Sequence, residues 1–173
     1  MTPQTFAEKW GASQLKESAA YQEHFLDLCD MLGQGTPAGL DSEGKFYTFQ
    51  KGASKSGGGE GFADVWYKDH FAWEYKGKHK NLDKAYDQLL QYREDLENPP
   101  LLVVCDFDRY RVHTNFNNCV KKVYEFTNGC RVSILNTRQQ RLNFERARVG
   151  QIVPRMAPAP VRPDPSTMAT RRL

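Results

Sequence analysis

Two carboxylates and a lysine lie close together in an aromatic-rich segment of the sequence. Asp64 is separated by nine residues from Glu74, and Lys76 follows two positions later. Such charged groups are costly to bury in a sheet unless they bind a metal ion or pair with one another. The segment therefore predicts either a chemical site or a structural cluster of salt bridges, and the spacing alone leaves both interpretations open.

The surrounding pattern predicts a β-hairpin that brings the two carboxylates together. Its strands are expected over residues 62–67 and 71–76, where apolar and aromatic residues dominate. A three-residue loop between them sets Asp64 directly opposite Glu74, on one face of the sheet. A two-residue loop would place Asp64 opposite Trp73 instead. The site therefore requires an odd-length loop or a bulge that restores the register.

This arrangement predicts a site for Mg²⁺, with Mn²⁺ as a substitute. Mg²⁺ takes oxygen ligands and keeps several waters, so Asp64, Glu74 and the main-chain carbonyl of Tyr75 could supply the protein ligands. Lys76 could orient or help to deprotonate a water on the metal and stabilise the charge that grows on a phosphate. Together these groups predict metal-assisted hydrolysis of a phosphodiester.

A glycine-rich segment precedes the predicted hairpin. Residues 57–61 include four glycines, and they follow Lys51, Ser54 and Lys55. Because glycine lets the backbone approach closely, this loop could bring main-chain amides, Ser54 and the two lysines close to a phosphate chain. A flexible, solvated linker is the alternative interpretation.

A basic cluster and a helix follow the hairpin. Lys78 and Lys80 suit phosphate contact, or else a solvated cap of the strand. Residues 81–97 have helical periodicity and stop before two prolines. On that helix Gln88 and Tyr92 lie four residues apart on one side, where they could reach the DNA strand. The alternative is an ordinary polar edge of an amphipathic helix.

Three segments of the chain resemble the amino-terminal nuclease domain of the MmeI family of restriction–modification enzymes. In that family nuclease and methyltransferase share one polypeptide. The segments that carry the resemblance are residues 22–33, residues 47–80 with their Trp-Glu-Tyr-Lys-Gly run, and residues 98–116. The likeness covers about residues 5–126. The spacing of Gln88 and Tyr92 also resembles the QxxxY signature of RecB-type nucleases.

The resemblance implies a PD-(D/E)XK nuclease-like domain over residues 1–126, an α/β fold with a mixed β-sheet flanked by helices. The catalytic residues that it implies are Asp64, Glu74, Lys76, Gln88 and Glu17, the last being the acid that the superfamily carries on its first helix. The implied activity is that of a Mg²⁺-dependent endodeoxyribonuclease module acting on double-stranded DNA. Methyltransferase and target-recognition domains would act in cis, as in the family, or in trans. No fingerprint of an S-adenosylmethionine site is present in this sequence.

Other segments predict the elements that would hold this site. A helix is expected from an N-cap at Ser13 to Leu32, ended by Gly33. His24 on that helix is expected to be a core histidine with satisfied hydrogen bonds rather than a ligand. Residues 101–105 form a continuous apolar run, which is typical of a strand covered on both faces. Further strands are expected at residues 111–115 and 120–126.

Composition predicts a soluble, cytoplasmic protein. No apolar run approaches the length of about 20 residues needed to span a membrane, and the amino terminus has no signal-peptide core. The four cysteines show no CxxC pairing, so they are expected to be reduced thiols and do not indicate a zinc site.

The net charge of +3 is unevenly distributed along the chain. Residues 138–173 contain eight arginines and two acids, which gives +6 and leaves −3 for residues 1–137. Because phosphate neutralisation dominates non-specific affinity, the core should bind DNA weakly by itself. An alternative function follows, a catalytically silent remnant that binds DNA or assembles with partners.

Residues 127–173 form an Arg- and Pro-rich tail that is predicted to be partly disordered. Five of the nine prolines lie between Pro154 and Pro165, and the segment has no periodicity. The start of a linker, a basic arm that touches DNA and an unrelated terminus left by truncation are all compatible with this composition.

Overall fold

The computed structural model describes residues 1–54 and 59–129 of the chain. These residues form four helices and six strands. In chain order the elements are α1 (Pro3–Ala12), α2 (Glu17–Leu32), α3 (Pro37–Leu40), β1 (Tyr47–Ser54), β2 (Glu60–Tyr67), β3 (Phe71–Tyr75), α4 (Leu82–Tyr92), β4 (Leu101–Cys105), β5 (Arg109–Thr114) and β6 (Val123–Thr127). The predicted tail lies outside the described residues, apart from its first three positions.

One mixed sheet organises these elements. Its strands lie in the order β1 to β6, and neighbouring strands are antiparallel except β3 and β4, which are parallel. Helix α4 connects the two parallel strands, because parallel neighbours need a crossover connection. The predicted α/β fold with a mixed sheet flanked by helices is confirmed.

Different helices cover the two faces of the sheet. The face under α1 and α2 has a core that includes Phe6, Trp10, Tyr21, Phe25, Leu28, Val65, Trp73, Tyr75, Val103 and Tyr110. The face under α4 has a second core that includes Ala63, Trp66, Ala72, Leu82, Ala85, Leu89, Tyr92, Leu102 and Val104. Because both faces are covered, all five residues of β4 are buried, which confirms the prediction for residues 101–105.

The amino-terminal helices differ from the prediction in one respect. The Ser13 N-cap is wrong, because Ser13 lies in extended conformation at the C-cap of α1 and Lys16 is the N-cap of α2. Helix α1 was not predicted, although Thr2 closes a capping box with Thr5 ahead of it. The predicted end of α2 is confirmed, since Gly33 takes the left-handed conformation with φ 63°.

The glycine-rich segment connects two strands of a hairpin rather than forming one long loop. Strand β1 runs to Ser54 and pairs along its length with β2, which begins at Glu60. Residues 55–58, with Lys55, lie outside the described residues. Gly61 in β2 faces α4, where a Cβ atom would overlap the phenol ring of Tyr92. This contact holds the far end of the hairpin against α4.

Replacing Gly61 with alanine should destabilise the protein, because Tyr92 is buried and has little room to move. We expect a loss of about 1–3 kcal/mol in the free energy of unfolding, typical of overpacking. Gly52→Ala is the matched control, since a Cβ at Gly52 would meet its nearest neighbour at an ordinary 3.8 Å. Urea denaturation of both variants measures the difference, and equal midpoints would show that Tyr92 does not restrain this position.

Within residues 1–54 and 59–129, no helix combines the length and the apolar character needed to cross a membrane. Cys29 is buried and Cys119 is exposed, both as free thiols. Cys105 is buried within β4, and Cys130 lies outside the described residues.

Candidate active site

Strands β2 and β3 form the predicted hairpin in the predicted register. Tyr67 lies opposite Phe71 across a three-residue loop, and the pairing continues to Val65 opposite Trp73. Strand β3 ends one residue before Lys76. The odd loop length that the site requires is therefore present.

Asp64 lies at the point where these two strands separate. The register would set it opposite Glu74, one step beyond the last paired residues. The Oδ2 atom of Asp64 accepts a hydrogen bond of 2.7 Å from the main-chain N–H of Tyr75. A carboxylate thus takes the position of a main-chain partner, and it reaches the end of β3 beside Glu74 and Lys76.

Glu74 is the most buried acid of this group, with 3% of its surface exposed. Its Oε1 atom accepts a hydrogen bond of 2.5 Å from the Nζ of Lys76. Its Oε2 atom is buried and has no hydrogen-bond partner among the described residues. Leaving a buried polar atom unsatisfied costs about 1–3 kcal/mol, and more for a charged group. This oxygen therefore favours a cation or a water as its partner.

The electrostatics of the group follow from burial. Burial, and then the charge of Asp64, raise the pKa of Glu74 to about 8. Burial also raises the pKa of Asp64 to about 6, against the opposing N–H of Tyr75 and charge of Lys76. Burial lowers the pKa of Lys76, but the charge and hydrogen bond of Glu74 outweigh it and the pKa is raised overall. Without a cation, the two carboxylates together therefore favour binding one proton near neutral pH, with Glu74 the more basic of the two.

Glu17, the first residue of α2, approaches the same group. Its charge contributes to the raised pKa values of Asp64 and Glu74. Its Oε2 atom would lie 3.9 Å from a Cβ added to Gly77, which follows Lys76 directly. An acid at this position is also favourable for the helix, because it lies at the positive end of the helix dipole.

The residues present fit a hard divalent cation that keeps most of its waters. In the part of the chain that the structure describes, no three His, Cys, Asp or Glu side chains form a ready-made metal-binding group. A metal here would instead be held by Asp64 and Glu74, with the carbonyl of Tyr75 as a further oxygen. Few protein ligands and several waters are typical of Mg²⁺ sites. The unsatisfied Oε2 of Glu74 and the mutual repulsion of the two acids support this fit.

A buried hydrogen-bond chain supports the site from the opposite face of the sheet. The Nδ1 and Nε2 atoms of His24 lie 2.9 Å and 3.1 Å from the hydroxyls of Tyr75 and Tyr110. The Tyr110 hydroxyl donates to Asn128 Oδ1 at 2.9 Å, so it accepts from the Nε2–H of His24. Tyr75 in turn donates to Nδ1. His24 is thus a core histidine with satisfied hydrogen bonds, as predicted.

The loop after Lys76 is held in place by Lys78, which the sequence singled out for phosphate contact, and by Asp106, which it did not single out. The Nζ of Lys78 donates to the main-chain oxygens of Gly11 and Ser13, at 2.9 Å and 2.6 Å. Asp106, which is 1% exposed, accepts from the main-chain N–H of His79 and forms a salt bridge with Arg109. The only signal for Asp106 in the sequence is its place directly after an apolar run of strand length.

The residues predicted to contact DNA lie partly along α4 and the β1–β2 hairpin. The ammonium of Lys51 lies 4.4 Å above the ring of Trp66. The main-chain N–H of Ser54 donates to Asp95 at 2.6 Å. Lys80 is exposed, on the loop that follows Lys76.

Gln88 and Tyr92 share one side of α4, as predicted. Together with Lys84, Asp87 and Gln91 they line an open groove on that helix. Tyr92 is buried by its contact with Gly61, whereas Gln88 is partly exposed. No described hydrogen bond joins either residue to Asp64 or Glu74, so a role for Gln88 in the chemistry stays a prediction.

The mixed six-stranded sheet with flanking helices is an α/β fold consistent with a nuclease-like domain. Residues 1–150 match the sequence model of the family described as MmeI, N-terminal domain, and the chain belongs to this family. The chain is thereby placed among restriction–modification proteins. Comparison with curated proteins and with solved structures gave no match. The matched range extends past residue 126, and the domain boundary predicted there stays a prediction.

Proposed function

We propose that this chain is the endonuclease module of a restriction–modification enzyme and hydrolyses phosphodiester bonds of double-stranded DNA with Mg²⁺. One observation carries the proposal: Asp64 is bound to the main chain of Tyr75, between Glu74 and Lys76, and one oxygen of Glu74 is buried without a hydrogen-bond partner among the described residues. An ordinary salt bridge between Glu74 and Lys76 would not require a second buried acid beside it. Membership of the MmeI family supports the same assignment.

Each residue has a separate task in this mechanism. Asp64 and Glu74 would hold the metal, and the N–H of Tyr75 fixes the orientation of the Asp64 carboxylate. The chemistry expected from a bound Mg²⁺ is a lower pKa for water and neutralisation of charge at the phosphate. Lys76 keeps its proton because its pKa is raised, so it would stabilise negative charge on the phosphate rather than act as a base.

The surface beside the site would receive the DNA. Lys51 on β1, and Gln88 and Tyr92 on α4, lie on the side of the sheet covered by α4, to which Glu74 also belongs by its alternation with Ala72. The main-chain N–H of Ser54 is bound to Asp95, just after α4. Residues 1–137 have a formal charge of −3, which disfavours tight binding to a polyanion. We therefore infer that methyltransferase and target-recognition domains, in cis or in trans, bring the duplex to this module.

Cleavage of supercoiled plasmid at high protein concentration tests the proposal. The wild-type chain should nick or linearise the plasmid with Mg²⁺ or Mn²⁺ and not with EDTA, and Asp64→Ala should be inactive. Asp30→Ala is the matched control, because Asp30 lies on α2 and pairs with the amino terminus, away from the site. Equal cleavage by the wild type and Asp64→Ala would refute the proposal.

Metal binding can be measured without catalysis. Saturating Mn²⁺ should raise the melting temperature of the wild type, since a ligand at 100 times its Kd stabilises the folded state by about 2.7 kcal/mol. Asp64→Ala should show a much smaller rise. A flat response in both, with no cleavage, would favour the alternative of a catalytically silent module that binds DNA or assembles with partners.

A further inference from the structure

The side chains of the β1–β2 hairpin exchange faces of the sheet halfway along its length. In β1, Tyr47 and Phe49 pack into the core under α1 and α2. Two and four residues later, Lys51 lies over Trp66 and Ala53 packs into the core under α4. In a regular strand all four side chains would point to the same face. The alternation of β1 is therefore reversed between Phe49 and Lys51.

Strand β2 makes the same change at the same level. Val65 and Tyr67 belong to the core under α1 and α2, whereas Ala63 belongs to the core under α4. Gly61 also faces α4, through its contact with Tyr92. The pairing is not shifted, because Phe49 lies opposite Val65 and Lys51 opposite Ala63. The side chains of both strands thus exchange faces at the same level, without an inserted residue.

Gln50 and Asp64 lie at the level where the side chains exchange faces. Gln50 has φ 52°, a left-handed conformation that residues other than glycine and asparagine rarely adopt within a strand. Its side chain is exposed, so no buried contact of the amide explains this conformation. By the register of β1 and β2, Asp64 is the residue opposite Gln50.

This exchange of faces explains how the Asp64 carboxylate reaches the end of β3. The pairing of β2 with β3 covers Val65 to Tyr67 and stops next to Asp64, at the level where the side chains of β1 and β2 exchange faces. Asp64 lies between a residue facing one core and a residue facing the other. Its carboxylate is thereby directed sideways to the N–H of Tyr75, beside Glu74.

We infer that Gln50 is a positioning residue for the metal site. Its left-handed backbone lies opposite Asp64 and directs the outer half of the hairpin toward α4. This sets the Asp64 carboxylate beside Glu74. This inference rests on the proposed function. It assigns the effect to the main-chain conformation of Gln50 and not to its amide group. A residue that accepts the left-handed region should preserve the site, and a β-branched residue should disturb it.

The test compares Gln50→Gly with Gln50→Val in the full chain, with Thr48→Val as the matched control. Thr48 is in the same strand, and its φ is not positive. Mn²⁺ affinity is measured by calorimetry and by the metal-induced rise in melting temperature, and plasmid cleavage is followed in parallel. If Gln50→Val does not fold, Gln50→Ala replaces it, because alanine also disfavours the left-handed region.

We expect Gln50→Gly and Thr48→Val to bind Mn²⁺ like the wild type, and Gln50→Val to bind about tenfold or more weakly, the size of effect found for groups that orient metal ligands. Wild-type affinity in Gln50→Val would overturn the inference, and so would an equal loss in Gln50→Gly. If the wild type and Asp64→Ala bind Mn²⁺ equally, the metal site itself is refuted, and the role assigned to Gln50 falls with it.

Discussion

Replacing Lys76 with alanine should reduce plasmid cleavage by roughly a hundredfold to a thousandfold, the usual effect of removing one group that stabilises transition-state charge. The fold should persist, because the side chain of Lys76 is partly exposed and its described hydrogen bond and salt bridge are both with Glu74. Metal should still bind, since Lys76 supplies no ligand. Loss of cleavage with metal binding retained would separate the role of the lysine from that of the two acids.

The Lys76 experiment needs a condition that keeps Glu74 ionised. Without the lysine, Glu74 loses the charge and hydrogen bond that oppose its raised pKa, so protons compete more strongly with the metal. Mn²⁺ binding is therefore compared over a range from about pH 7 to pH 9, and the affinity of Lys76→Ala should approach that of the wild type as pH rises. Lys68→Ala is the control variant, since Lys68 lies in the β2–β3 loop and pairs with Glu97. If Lys76→Ala cleaves as fast as Lys68→Ala, the assignment of Lys76 is wrong.

Replacing Glu74 with glutamine should stabilise the metal-free protein at alkaline pH. The pKa of Glu74 is about 8 in the folded state, against an ordinary value of 4.5. Between these values the folded state binds more protons than the unfolded state, so stability falls as pH rises. Below about pH 4.5 the carboxyl is neutral in both states and the cost disappears. Glutamine carries no charge and avoids this cost at every pH.

The expected gain for Glu74→Gln is on the order of 3 kcal/mol near pH 9, or roughly 6–12 °C in melting temperature for a chain of this size. Melting curves in EDTA at intervals from about pH 5 to pH 9 measure it, and the two proteins should converge at the acid end. Added Mn²⁺ should offset this gain, because only the wild type gains a bound metal ion. Glu60→Gln at the exposed start of β2 is the matched control. A lower melting temperature for Glu74→Gln throughout would indicate a structural salt bridge.

Short-range patterns in the sequence predicted the hairpin at the site but left its loop length open. The structure has a three-residue loop between Tyr67 and Phe71, and this length decides which side chains share a face. The apolar stripe of α4 was equally clear, with Leu82, Ala85 and Leu89 buried as expected. Asn81 caps this helix through its side chain, so its start is also encoded locally.

Features that depend on contacts between distant residues were not predictable in this way. Strand β1 contains Gly52 and leads into a glycine run, so its composition resembles a loop, and only its pairing with β2 makes it a strand. Lys78 lies in a basic cluster of the kind that binds phosphate, yet its ammonium donates to carbonyls at the end of α1. The reversal of faces at Gln50 breaks the alternation on which every strand prediction relies.

The hydrogen-bond chain behind Tyr75 determines where this domain can be joined to another. Asn128 lies beyond the last strand, yet it is 3% exposed, and its Oδ1 accepts the hydrogen bond from the Tyr110 hydroxyl that completes the chain to His24. Its Nδ2 also donates to the carbonyl of Phe107, in the turn that follows β4. A fusion made at residue 126 would remove this partner and leave a tyrosine hydroxyl buried without an acceptor. We therefore expect the junction between this module and a neighbouring domain to come after Asn128, although the last strand ends at Thr127.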